Sequence, residues 1–290
     1  MPDNFKSNVQ KIENLPTLPV IAQEIMNLNS DSLLSIEKLK NIVERDPAIS
    51  AKILSVANSA FFGCRYLTTD LNNAIMRIGF NNVKSIAIGI SVLSFLDNSK
   101  KTSDYTRLFN HSIAVSLAAR SIAVDINTGI EEDILIQGLL HDIGYLVLNR
   151  FFPNIYQNIL DSLNTGESLL NAEKNILNSS HAEVGYWLGI QWNLPDIVLN
   201  TILYHHTPYL GKNAKQLALI HIADYIVAKN SYSPFEKDPN YPIDQSSLNI
   251  LSISENDLKR IEELICHIPL SDENFDMPYD TTREVKDLHS

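Results

Sequence analysis

Apolar residues recur at helical spacing along most of this chain. After the LPTLP segment, whose prolines suit a helix entry, Ile21, Ile25, Met26 and Leu28 fall roughly on one face. Asp46 before Pro47 is a good helix start, since a carboxylate caps free N–H groups and proline needs none there. Ile49, Ile53, Leu54 and Ala57 then line one side, and Gly63 fits the turn that ends the unit. Ala74, Ile75 and Ile78 mark another helix, with Gly79 as its stop. The run VKSIAIGISVLSFLD, 83–97, is apolar almost throughout. A buried strand is conceivable there, but the run exceeds strand length and its neighbours are helical, so a buried helix is expected.

Further helices are expected at 105–124, 131–149, 153–163, 167–176, 181–190, 195–205 and 214–229. Leu194 leads into the last but one through Pro195 and Asp196. The stretch SYSPFEKDPNYPIDQSS reads as a long surface loop, and one more helix follows at 255–266, with Ser252 and Glu255 spaced as a capping box. The acidic tail, 271–290, is expected to fray. The fold class is therefore all-α: an N-terminal helical subdomain (1–104), a helical bundle (105–230), and a loop, helix and tail (231–290). The polar segment NSKKTSD, 98–104, is the candidate boundary, and no internal repeat is visible.

Composition narrows the function. The 290 residues are 44% hydrophobic and 20% charged, with only 10 glycines, as in an ordinary helical globular chain. Net charge is −11 and the pI near 5.1. No basic run offers a phosphate-neutralising face, so nucleic acid and anionic membranes are poor partners. Cys64 and Cys266 are far apart and make no metal or redox spacing. The N-terminus lacks an apolar signal core, and no apolar run approaches the ~20 residues that span a bilayer. A cytoplasmic chain is expected.

Five segments carry candidate chemistry: FNHSIAVSLAAR with His111, GLLHDIGYLVL with His141 and Asp142, SSHAEVGYWL with His181, ILYHHTP with His205 and His206, and HIADYIV with His221 and Asp224. Imidazoles and carboxylates are the donors that Fe, Mn, Zn, Ni or Mg accept from proteins. An adjacent His–Asp pair on a helix directs two donors about 100° apart, and bundles build metal sites from side chains converging on their core. An ion held so lowers the pKa of its water toward ~7, giving a nucleophile for phosphorus, and two ions clamp the attacking and leaving oxygens. Taken singly, each residue has a plainer reading. A lone histidine is usually a packed core or surface residue, His205 and His206 sit at a helix end where imidazolium suits the dipole, and His221 or Asp224 reads as surface polarity. Taken jointly, six of the eight histidines fall in this ordered set. Asn58 and Ser59 read as helix ties through side-chain to backbone bonds, and Trp187 and Trp192 as packing residues, although an indole near a cleft stacks well on a base.

With those residues in view, the chain resembles the HDOD division of the HD-domain superfamily. His111, His141–Asp142 and Asp224 match the metal-binding order of HD-domain phosphohydrolases. LPTLP, ERDPAISAKILSVANSAFFG, LNNAIMRIGFNNVKSIAIG, GLLHDIGYLVL, HAEVGYWLGIQWNLPDIVLNTILYHHTP and HIADYIV look specifically like HDOD, together over about residues 12–230. The resemblance implies a helical regulatory or signalling module of bacteria. It also implies one or two divalent ions on His111, His141, Asp142 and Asp224, with His181, His205 and His206 similar to the extra ligands of the HD-GYP phosphodiesterases. Three positions depart from those enzymes. Tyr145 replaces a lysine that handles phosphate, HHTPYLGKNAKQ replaces the GYP element, and Arg107 replaces a glutamate for a third metal. The expected function is thus regulatory, binding a signalling partner protein or a small ligand, a nucleotide among the candidates. The alternative is a metal-dependent phosphohydrolase of nucleotides or phosphate esters that depends on Asp142.

Overall fold

A computed structural model describes residues 17–28, 33–59, 62, 67–96, 103–131, 134–232 and 242–266. Fifteen α-helices and no strand occur among them. The first five are α1 (Val20–Met26), α2 (Leu33–Val43), α3 (Pro47–Ala57), α4 (Leu71–Ile78) and α5 (Phe80–Leu96). Asp46 caps α3 as its sequence suggests, accepting from the Ala48 and Ile49 N–H groups at 2.9 and 3.1 Å, with Pro47 at the first position. Gly79, at φ 89°, stops α4, and the chain turns there by 117° into α5. Asn58 ties the end of α3 to the following segment, donating to the Thr68 carbonyl and accepting from the Thr68 N–H, both at 2.8 Å. Gly63, residues 98–102 of the expected boundary and the tail lie outside the described residues.

The run expected as a buried helix is α5. Its buried positions go all round the axis, which a helix shows when it is covered on every side. It packs on α1, α3 and α4 on one side and on α7 (Ile134–Leu140) and α8 (Ile143–Phe151) of the bundle on the other. Gly89 permits the contact with α7, where a Cβ would lie 2.6 Å from Leu139. Among the described residues no single helix is long and apolar enough to cross a membrane.

The bundle comprises α6 (Ser103–Asp125), α7 (Ile134–Leu140), α8 (Ile143–Phe151), α9 (Pro153–Asn164), α10 (Leu169–Leu177), α11 (His181–Gln191), α12 (Asp196–Tyr204) and α13 (Ala214–Val227). Helix α6 packs on α7 and α13, while α11 packs on α8 and α12. Two close approaches depend on glycine. A Cβ on Gly138 would sit 2.5 Å from the Ser116 Cα, and one on Gly144 would sit 1.9 Å from the His181 carbonyl oxygen. These contacts bring α6, α7, α8 and α11 to one centre. Trp192 is buried and Trp187 packs partly against the same core, as expected of packing residues.

Three expectations need correction. The single helix over 131–149 is two, broken at His141–Asp142, where Asp142 has φ −104° and ψ 17°. The His141 Nδ1–H donates to the Gly138 carbonyl at 2.7 Å, so a side chain competes with the backbone bond that would continue the helix. Secondly, the two ends of the expected Pro- and Ser-rich loop are helical, in a π-turn at Ala228–Tyr232 and in α14 (Gln245–Leu251), capped by Asp244 on the Ser246 N–H, while 233–241 lie outside the described residues. Thirdly, the capping pair of α15 (Glu255–Cys266) is Ser254 with Asp257, each bonded to the other's N–H, rather than Ser252 with Glu255. Ser252, at φ 56°, is already used to end α14.

Candidate metal centre

All seven of the expected donors meet in the bundle interior. His111 comes from the middle of α6, His141 and Asp142 from the α7–α8 break, and His181 opens α11. His205 ends α12, His206 follows it, and Asp224 lies on α13. His111, His141, His181 and His205 are each at most 1% exposed, and the two aspartates 5%. Asp142 stands between two groups of donors. Its Oδ2 lies 3.6 and 3.3 Å from the Nε2 atoms of His111 and His141. Its Oδ1 lies 3.3 and 3.4 Å from those of His181 and His205. Asp224 Oδ1 adds to the first group, 3.0 Å from His111 Nε2. His206 adds to the second, its Nε2 3.0 Å from His181 Nε2.

Which nitrogen faces the centre is set from behind. The Nδ1–H of His141 donates to the Gly138 carbonyl, that of His205 to the Ile202 carbonyl at 2.9 Å, and that of His181 to the Glu173 carboxylate at 2.8 Å. With Nδ1 occupied, the Nε2 atoms converge. The Nε2 atoms of His181 and His205 are 3.2 Å apart, close enough for both to ligate one ion. Donors about 2.0–2.1 Å from one ion stand roughly 3.0–3.4 Å from each other, and the donor set is of the imidazole and carboxylate type that first-row metals take. His141 Nε2 and Asp142 Oδ1 are buried without a hydrogen-bond partner among the described residues. The residues present therefore fit a divalent ion in either group, and the groups share Asp142.

The charges are mutually stabilised. Burial opposes the charge of His141, but the Asp142 and Asp224 carboxylates outweigh it and push its pKa up to about 9. Burial likewise opposes His181, yet Glu173 and Asp142 push it to about 10. Burial also works against ionised Asp142, while the surrounding imidazoles, His141 foremost, hold it well below the usual carboxylate range. Asp224 is lowered against its burial by the His111 bond. His205 and His206 are lowered, burial being the main cause, so the imidazolium expected at this helix end is disfavoured.

Two other residues differ from their sequence reading. His221 is buried, not surface polarity, and does not face the centre. Its Nδ1–H donates to the His205 carbonyl at 2.9 Å and its Nε2 accepts from the Asp244 N–H at 2.8 Å. Glu173 was not singled out at all. It is fully buried on α10, whose inward face is Leu169, Ala172, Glu173 and Leu177. An acid on that apolar stripe was the available signal. Tyr145, at the position of the HD-GYP lysine, is buried and stacks on His181 with ring centroids 4.0 Å apart and planes 20° from parallel.

Sequence comparison agrees with this architecture. Residues 15–208 match the HDOD domain, so the chain belongs to the HDOD family. A Treponema pallidum protein of uncharacterised function is 27% identical over 221 residues, 73% of this chain, and this chain spans only 41% of it. Among solved structures, an HDOD protein of unknown function from Geobacter sulfurreducens superposes with a TM-score of 0.75 at 21% identity, over 91% of this chain and 94% of that one. A Shewanella amazonensis protein provisionally named a phosphohydrolase gives 0.69 at 20% identity, over 92% and 96%. A Marinobacter aquaeolei protein provisionally named for signal transduction gives 0.69 at 21%, over 93% and 59%. At these identities the likeness is one of fold.

Proposed function

We propose that this chain is a regulatory, signal-transducing HDOD protein that binds a partner protein or small ligand and carries a divalent metal centre in its bundle. What carries the reading is Tyr145: a complete donor set stands beside a position filled by a buried phenol lying flat on His181. A phenol brings no positive charge to a phosphate. In this reading His111, His141, Asp142 and Asp224 hold one ion and Asp142, His181, His205 and His206 a second, from among Fe, Mn, Zn, Ni or Mg. An ion there supplies Lewis acidity and lowers the pKa of water toward ~7. With donors buried this deeply, an ion rigidifies the bundle rather than opening a groove for a bulky substrate. A bacterial cytoplasmic setting suits two cysteines without redox spacing.

The second reading is a metal-dependent phosphohydrolase. It is favoured by Asp142, whose two oxygens face two donor groups as a clamp for two ions requires. A panel of nucleotides, cyclic dinucleotides and phosphate esters, assayed with each metal on protein purified without chelator, separates the two. The regulatory reading expects metal uptake without rapid turnover. Fast metal-dependent hydrolysis of a defined substrate, abolished by Asp142→Ala, would replace it with the second reading.

A further inference from the structure

Glu173 belongs to neither donor group, yet its carboxylate is buried and directed at one histidine. Oε1 and Oε2 lie 2.8 and 2.9 Å from His181 Nδ1, and Oε2 also accepts the His181 backbone N–H at 3.1 Å. A carboxylate kept in a dry core needs a matching partner, and here the partner is His181. Capping α11 is not sufficient reason for it. Ser180 already caps that helix, accepting from the Glu183 N–H, while Glu183 reaches back to the Ser180 N–H. What Glu173 adds is its hold on Nδ1. His141 and His205 have neutral carbonyls in that place, so His181 alone of these three is backed by an anion.

We infer that Glu173 is the positioning residue of His181: it holds the Nδ1 proton, aims Nε2 at Asp142, His205 and His206, and strengthens His181 as a donor. The arrangement is that of a carboxylate–histidine–metal relay, in which the outer carboxylate sets ring orientation and donor strength. Its consequence for metal affinity rests on the metal reading above; its effect on the ring does not.

The test uses the full chain with Glu173→Gln, Glu173→Ala and, as a control for the helix start alone, Ser180→Ala. In metal-free protein labelled with 15N-histidine, the carboxylate-bonded Nδ1 proton of His181 should resonate far downfield. It should move upfield in E173Q, vanish by exchange in E173A and persist in S180A. Titration with zinc should then give a 10–100-fold weaker affinity for E173Q and an unchanged one for S180A. An unaltered His181 proton in E173A, or an unaltered zinc affinity in E173Q, overturns the inference. Wild-type protein that takes no zinc defeats the metal reading, while the proton spectrum still decides whether Glu173 orients His181.

Discussion

Asp142 touches both donor groups, and its place among them was legible because its His–Asp dipeptide stands in an ordered set of histidines. Replacing it with Asn removes the charge shared by both groups, so divalent metal affinity should fall by more than about 100-fold while helical content stays, measured by calorimetric titration and circular dichroism. Glu173 was not legible in the same way. Flanked by Ala172 and Lys174, it looks like a solvated helix acid, and only its place on the stripe of Leu169 and Leu177 betrays it. Gly144 illustrates a backbone requirement. With the His181 carbonyl 1.9 Å from any added Cβ, α8 and α11 must separate in Gly144→Ala. Overpacking of this kind costs typically 1–3 kcal/mol, and the urea midpoint should fall accordingly. An unchanged midpoint would mean that this crossing is soft.

Helices proved easier to read than their breaks. The apolar run of α5 exceeded strand length, and Asp46–Pro47 and Gly79 marked boundaries by chemistry alone. The division between α7 and α8 could not be seen, because GLLHDIGYLVL contains no proline and keeps its apolar period through the turn. A side-chain bond from His141 to Gly138 makes that break, and it exists only in the folded chain. Helix α14 was hidden for another reason: its cap, Asp244, sits in a segment whose prolines and serines read as loop. That helix is joined to the centre through His221, which bonds the Asp244 N–H and the His205 carbonyl at once. His221→Leu leaves the buried His205 carbonyl and the part-buried Asp244 N–H without this partner, the carbonyl at about 1–3 kcal/mol and the N–H at less. Amide exchange at Asp244 and across α14 should accelerate more than exchange in α4, and equal protection in both would argue against the tie.

One apolar core runs from Leu18 to Ile265, so the N-terminal helices and the bundle share an interior, with α5 as the common wall. Within it the centre concentrates charge, and metal-free protein should show this in its pH dependence. His141 and His181 have folded pKa values raised to about 9 and 10 from 6.5, so their stabilisation is full below pH 6.5 and lost as pH rises toward 10. Asp142 and Asp224 are lowered from 3.8, so theirs is present above pH 3.8 and lost as pH falls below it. His205 and His206 are lowered from 6.5 and lose theirs as pH falls below it, so thermal melts should be highest near pH 6.5, and a midpoint that climbs through pH 9 would contradict the charge assignment. Metal must displace the protons of His141 and His181, so affinity should rise over the same alkaline range. The most direct measurement is anomalous diffraction from crystals of protein purified without chelator and soaked in manganese or zinc. The account predicts density bonded to Asp142 with His181, His205 and His206, or with His111, His141 and Asp224, or with both groups. Imidazoles turned away from Asp142, or no bound ion at millimolar metal, would contradict it.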